Sequence, residues 1–178
     1  MEKRLSAWTI GHSTLPIEEF IDRLQSFGIE VLADVRSFLG SRRYPHFNQE
    51  NLSSTLRGVQ IRYEHLRALG GRRRVHPDSL NLAWRNESFR AYADYMETAE
   101  FHLGIENLLA VAGQHRVAIM CSEGLWWRCH RSLISDYLKV KGIEVVHIMG
   151  KAKSEPHPFT SAACVVNGQL SYRGVLSD

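Results

Sequence analysis

Cys121 and Glu123, followed after five residues by Cys129, His130 and Arg131, form the densest group of chemically competent side chains in the sequence. A thiol becomes a nucleophile once ionised, and neighbouring arginines or a helix start lower its pKa because both favour the anion. Cys121 ends the run Arg116-Val-Ala-Ile-Met120 and is followed by Arg128 and Arg131, which makes it the expected nucleophile. Glu123 and Asp34 are candidates to orient it or act as acid and base, and His12 and His130 could move the proton. Ser13, Arg36, Ser41, Arg42, Arg128, Cys129 and Arg131 would surround an anion with donors, the last two at a helix start with free backbone amides. Trp126, beside Trp127, offers a flat face that could stack on a base or sugar, plug a cavity or make a homodimer contact. Each residue also has a plainer role when taken alone. A cysteine ending a buried strand is often a small core residue, and Asp34 could simply pair with an arginine.

No metal site and no cofactor is expected. Cys121, Glu123, Cys129 and His130 include three good zinc ligand types, but the chain contains no Cys-x-x-Cys pair. Cys129 and His130 are adjacent at an expected helix start, where their side chains should diverge.

The elements that must position these residues are legible as apolar runs. Ala7 to Ile10, Val31 to Val35, Arg116 to Met120 and Ile143 to Met149 read as buried strands of a parallel sheet, with a weaker one at Ile61 to Tyr63. Helical stripes fall between them, from Pro16 to Phe27, Asn51 to Arg57, Phe89 to Thr98, Phe101 to Ala112, and about Cys129 to Lys141. The expected fold is a single α/β domain over 1–178, an open and mainly parallel sheet with helices on both faces and a C-terminal β-hairpin. Residues 150–161, with Pro156 and Pro158, read as a linker to that hairpin at 163–173, where Asn167-Gly168 fits a type I′ turn. In such sheets ligands collect beyond the carboxyl ends of the strands, so His12-Ser13, Asp34 to Arg36 and Cys121 to Glu123 should converge. The stretch from Leu69 to Asn86, with Arg72-Arg73-Arg74, reads as a long surface connection.

Composition narrows the partners. With 178 residues, 44% hydrophobic and 23% charged, the chain can bury one core without crosslinks. No apolar run is long enough for a signal peptide or membrane span, so a cytoplasmic protein with no membrane partner is expected. Three cysteines, Cys121, Cys129 and Cys164, make a disulfide framework improbable in a reducing compartment. A net charge of +3 does not by itself mark a nucleic-acid binder, but the arginines gather in loops suited to phosphate or carboxylate.

On Thr9-Ile-Gly-His-Ser13, Ala33-Asp-Val-Arg36, Ser41-Arg42 with Pro45, Tyr63, Leu69-Gly-Gly71 and Cys121-x-Glu123-x5-Cys129-His-Arg131, the chain resembles the family called domain of unknown function 488. The resemblance runs nearly end to end and implies a shared fold and pocket rather than a reaction. Between the cysteines this chain has Gly-Leu-Trp-Trp-Arg, where many members carry an acidic, proline-containing stretch. A weaker similarity is to rhodanese-like domains, in the order of strands, thiol and following helix. The thiol loop differs, because Arg128 lies seven residues after Cys121 and Arg131 ten after. The leading expectation is a cysteine-dependent enzyme acting on an anionic, phosphate-bearing small molecule or nucleic-acid end. Two alternatives are a rhodanese-like sulfurtransferase, with a persulfide on Cys121, and a non-catalytic nucleotide or nucleic-acid binding module.

Overall fold

The structure is a computed structural model that describes residues 4–174. Val31–Asp34 (β2) and Val117–Cys121 (β4) are buried at every residue, and Ser6–Gly11 (β1) is largely so. That is the pattern of strands covered on both faces. With Arg62–His65 (β3), Glu144–Gly150 (β5) and Lys153–Pro156 (β6) they form one sheet in the order β3-β2-β4-β1-β5-β6. All neighbours are parallel except β5 and β6. Helices α1 (Ile17–Ser26) and α2 (Gln49–Gly58) bury Phe20, Leu24, Leu52 and Leu56 on one face. On the other, α3 (Glu87–Tyr95), α4 (Ala99–Ala112) and α5 (Arg131–Val140) bury Tyr92, Phe101, Leu108, Leu133 and Leu138. The α/β architecture with a mainly parallel sheet is therefore as expected.

The short terminal hairpin is also present, as Cys164–Val166 (β7) and Gln169–Ser171 (β8). Asn167 and Gly168 both have positive φ, 51° and 75°, as a type I′ turn requires. One expectation is corrected: 150–161 is not only a linker, because it contains β6. This strand is polar and ends in Pro156, signals that oppose a central strand but are tolerated at a sheet edge, where a missing N–H breaks no ladder. Asn81 and Ser79, in the long connection, donate to Asp94 Oδ1 on α3 at 2.7 and 2.6 Å, which ties much of that segment down.

The chain leaves β1 and β2 toward the α1/α2 face and leaves β4 toward the face carrying α5. Their ends are level, with Gly11 opposite Cys121 and Asp34 opposite Met120. The carboxyl end of β4 is thus a switch point, the place where an open α/β sheet forms a crevice.

Candidate functional site

Beyond the carboxyl ends of β1, β2 and β4 lie two adjoining clefts. The smaller, about 240 Å³, is floored by Cys121 and Cys129 and walled by Arg72, Arg128, Phe89 and His130. The larger, about 530 Å³, runs past His12, Ser13, Ser41, Arg43 and Tyr44. Arg36, Phe38, Arg72, Ser122 and Glu123 border both. The Arg72 guanidinium sits 4.8 Å from the Phe38 ring, forming a ridge between them.

The two thiols touch, with Sγ to Sγ 2.6 Å, although both residues are almost wholly buried. Their surroundings differ in sign. Cys129 Sγ receives the backbone N–H of Arg131 at 3.4 Å and faces His130 Nδ1 at 3.5 Å. Besides Cys129, the hydrogen-bonding neighbour of Cys121 Sγ is an acceptor, the Glu123 carbonyl at 3.7 Å. Burial drives the Cys121 pKa well above that of an ordinary thiol, and its role as donor to Cys129 adds to this. Burial raises Cys129 as well, but the Cys121 hydrogen bond, His130 and Arg131 together outweigh it and hold Cys129 well below the usual range. The charge therefore belongs on Cys129 rather than Cys121. Position at a strand end suggested the reverse, since it could not show which sulfur the donors reach. Alkylation should reveal the order: Cys129 is expected to react at a pH well below Cys121, with the exposed Cys164 as internal reference. Mass spectrometry of iodoacetamide-quenched samples across pH 5–10 checks this, and earlier reaction of Cys121 would reverse the assignment.

Cys129 and His130 do not diverge as expected, because Cys129 precedes α5 in extended backbone, φ −133° and ψ 151°. His130 Nε2 donates to the Val35 carbonyl at 3.1 Å, which turns Nδ1 toward the sulfur. Gly71 permits this placement, since a Cβ there would lie 2.5 Å from His130 Nδ1.

Several groups expected to act in catalysis or to bind the ligand are instead engaged by partners inside the protein. Asp34 is fully buried and accepts from Arg36 N, Nε and Nη2 at 3.0, 2.9 and 2.7 Å, and from the Tyr63 hydroxyl at 2.6 Å. It anchors the site and does not reach a cleft. Arg36 is held by Asp34 and donates from Nη1 to the Phe47 carbonyl at 2.9 Å, so little of it is free for a ligand. His12 stacks on Phe47 at 4.1 Å, and burial lowers its pKa to about 4, which leaves it neutral near pH 7. Trp126 is buried, stacked on His147 at 4.4 Å and donating to Glu155 Oε1 at 2.6 Å, and so presents no face to a base or a second subunit. Arg42 is exposed and borders neither cleft, while its neighbour Arg43 borders the larger one. Ser13, Ser41, Glu123 and Arg128 do reach the clefts.

Arg131 is 1% exposed and is not a surface anion clamp. Its Nη2 donates to the Glu123 carbonyl at 2.6 Å and its Nη1 to Thr9 Oγ1 at 3.1 Å. Thr9 begins a buried chain through His147 (2.6 Å) and His157 (2.8 Å) to Asp136 Oδ1 (2.8 Å). With both imidazoles in the neutral form the carboxylate end sets the polarity, because Asp136 accepts and His157 then has one N–H to give it. Thr9 then donates to His147, His147 to His157 and His157 to Asp136, with every link satisfied. Asp136 is held further by Thr160 and by the Tyr172 hydroxyl at 2.8 Å. Sequence reading missed all four members, since they lie on different elements without a shared motif. Of the three consecutive arginines in the long connection, whose direction the sequence leaves open, Arg72 lines the cleft.

Among the described residues no three His, Cys, Asp or Glu side chains converge as a metal-binding group, and no helix is long and apolar enough to cross a membrane. No curated protein and no solved structure matches the chain. A family model does, over residues 16–138, a span that holds both cysteines, Arg72, His130 and Arg131. Since that match covers more than half of the sequence, the chain belongs to the family described as Domain of unknown function DUF488.

Proposed function

We propose that this protein is a cysteine-dependent enzyme acting on an anionic, phosphate-bearing substrate, a nucleotide or a nucleic-acid end. The observation that carries the reading is Cys129 on the floor of a cleft walled by Arg72 and Arg128, with its sulfur meeting the Arg131 N–H, His130 Nδ1 and the Cys121 thiol. The arginines would hold the anion through charge-assisted hydrogen bonds. Cys129 Sγ would attack the electrophilic centre, and the leaving group would take a proton from the Cys121 thiol or from Glu123, whose side chain stands exposed beside the cleft. Water or an acceptor would then release the adduct from the sulfur. The adjoining larger cleft, with Ser13, Ser41 and Arg43, provides room for the rest of a nucleotide.

Thermal-shift and equilibrium binding with inorganic phosphate, nucleoside mono- and triphosphates and a 5′-phosphorylated oligonucleotide test the anion site. At least one should bind, more weakly as salt rises, and Arg72→Gln with Arg128→Gln should lower its affinity about tenfold or more. Cys129→Ser should then keep that affinity while losing turnover. Full turnover in Cys129→Ser would remove the thiol mechanism and leave a binding module. No binding by any of these anions would remove the substrate class.

A further inference from the structure

We propose that Cys121 and Cys129 form a redox-active dithiol that exchanges with small anionic disulfides, with Cys129 attacking and Cys121 resolving. The proposal rests on the same Cys129 and its donors as the reading above, but on no assumption about a phosphate-bearing substrate.

Three observations converge on it. The sulfurs are 2.6 Å apart, so forming the bond of about 2.05 Å requires them to close by only about half an ångström. Each is fixed from its own side. Cys121 is the last residue of β4, and Cys129 is tied to α5 through the Arg131 N–H and the Ser132 hydroxyl, which donates to the Cys129 carbonyl at 2.8 Å. The loop between them is clamped in turn, by the 2.6 Å bond from Arg131 Nη2 to the Glu123 carbonyl and the 2.9 Å bond from the Ser13 N–H to the Ser122 carbonyl. The pair is therefore preorganised rather than brought together by chance in a mobile loop.

The second observation is asymmetry. A dithiol that performs exchange needs one sulfur ionised at ambient pH to attack, and a second, held close, to resolve the adduct. Cys129 has the N–H, His130 and Arg131 around it, while Cys121 has the Glu123 carbonyl as an acceptor. The third is access. Both cysteines line a cleft of about 240 Å³ whose wall carries Arg72 and Arg128, which suits a disulfide with carboxylate groups.

The exchange balances without any further oxidant. The Cys129 thiolate attacks one sulfur of R–S–S–R, forming Cys129–S–S–R and expelling RS⁻. The Cys121 thiol then attacks the Cys129 sulfur, its proton passing to a departing thiolate, and the second RS⁻ leaves. The protein loses two electrons in forming the Cys121–Cys129 disulfide, and R–S–S–R gains them, leaving as one thiol and one thiolate. Excess small thiol reverses both steps. In the oxidised form the Cys129 nucleophile is absent, so any thiol chemistry in the cleft stops until the pair is reduced.

Oxidised glutathione is the probe, used on intact protein in a Cys164→Ala background so that the exposed third thiol takes no part. After acid quench and alkylation, mass spectrometry and a non-reducing peptide map should show one internal Cys121–Cys129 crosslink, reversed by dithiothreitol. With Cys121→Ser added, one glutathione should remain on Cys129. With Cys129→Ser added instead, Cys121 should stay reduced at neutral pH. Absence of the internal crosslink across the glutathione redox range would overturn the proposal, as would glutathione accumulating on Cys121. Circular dichroism establishes that each variant is folded, and if a serine variant is not, the map of the Cys164→Ala protein decides alone. Should anions bind and turnover depend on Cys129 while no crosslink forms, the dithiol proposal alone falls. Should the crosslink form while no phosphate-bearing ligand binds, the substrate reading alone falls.

Discussion

Asp34→Ala is expected to destabilise the protein by about 3–5 kcal/mol, the usual cost of removing one partner from a buried ion pair. Asp34 has no exposed surface and accepts hydrogen bonds from the Arg36 backbone, the Arg36 guanidinium and Tyr63. Alanine would leave a nearly buried guanidinium without a counter-charge and the Tyr63 hydroxyl without its acceptor. Burial, and then the bond to Asp34, keep the Tyr63 proton in place, so in the intact protein this hydroxyl is a standing donor to Asp34. The loss would not remain local. Arg36 also donates to the Phe47 carbonyl and contacts His12 Nε2 at 3.3 Å, and His12 stacks on Phe47, so one wall of the larger cleft depends on this carboxylate. Asp34→Asn keeps an acceptor but removes the charge and should fall between the two. Urea unfolding at constant m-value measures the change. A loss under about 1 kcal/mol for the alanine variant would mean that Arg36 finds water, and that the ion pair is not what holds the site.

Arg131→Met should have the largest effect on chemistry. It removes a buried cation that donates to the Glu123 carbonyl and to Thr9 and whose charge favours the thiolate of Cys129. Without it, Cys129 would lie closer to an ordinary buried thiol. Once the pKa lies above the working pH, each further unit of upward shift lowers the thiolate fraction tenfold, so the alkylation profile of Cys129 should move to higher pH and its rate at pH 6 should fall several-fold. The variant also deprives Thr9 and Glu123 of a charge-assisted donor, each worth about 1.5–3 kcal/mol. Arg131→Lys restores charge without the two-armed geometry and should recover part of the reactivity but not the Glu123 and Thr9 bonds together. An unchanged alkylation profile in Arg131→Met would show that the Arg131 N–H and His130 suffice to ionise Cys129.

Much of the architecture was legible in the residues. The continuous apolar runs at Val31 and Val117 could only be buried strands or buried helix segments, and their shortness decided for strands. Asn167-Gly168 specified its turn because few other dipeptides adopt positive φ twice in succession. The polar strand β6 was illegible for the opposite reason, since an edge strand needs no apolar face and hides its pairing from the sequence.

The sequence by itself determined that His12, Asp34 and Cys121 would arrive at one edge of a parallel sheet, because element type and chain direction follow from local periodicity. It could not determine what each would face on arrival. Cys129 lies eight residues from Cys121 across an irregular loop, and their contact depends on Gly11, where a Cβ would strike the Glu123 carbonyl and approach Arg131 Nη2 to 2.8 Å. Arg131 and Trp126 have the composition of ligand-binding groups and became internal supports, whereas Arg72, one of three consecutive arginines, turned into the cleft. Whether a charged side chain serves a ligand or the fold depends on which donors and acceptors other elements bring within about 3 Å of it. Those partners come from other elements, so only the tertiary structure decided which sulfur the donors reach.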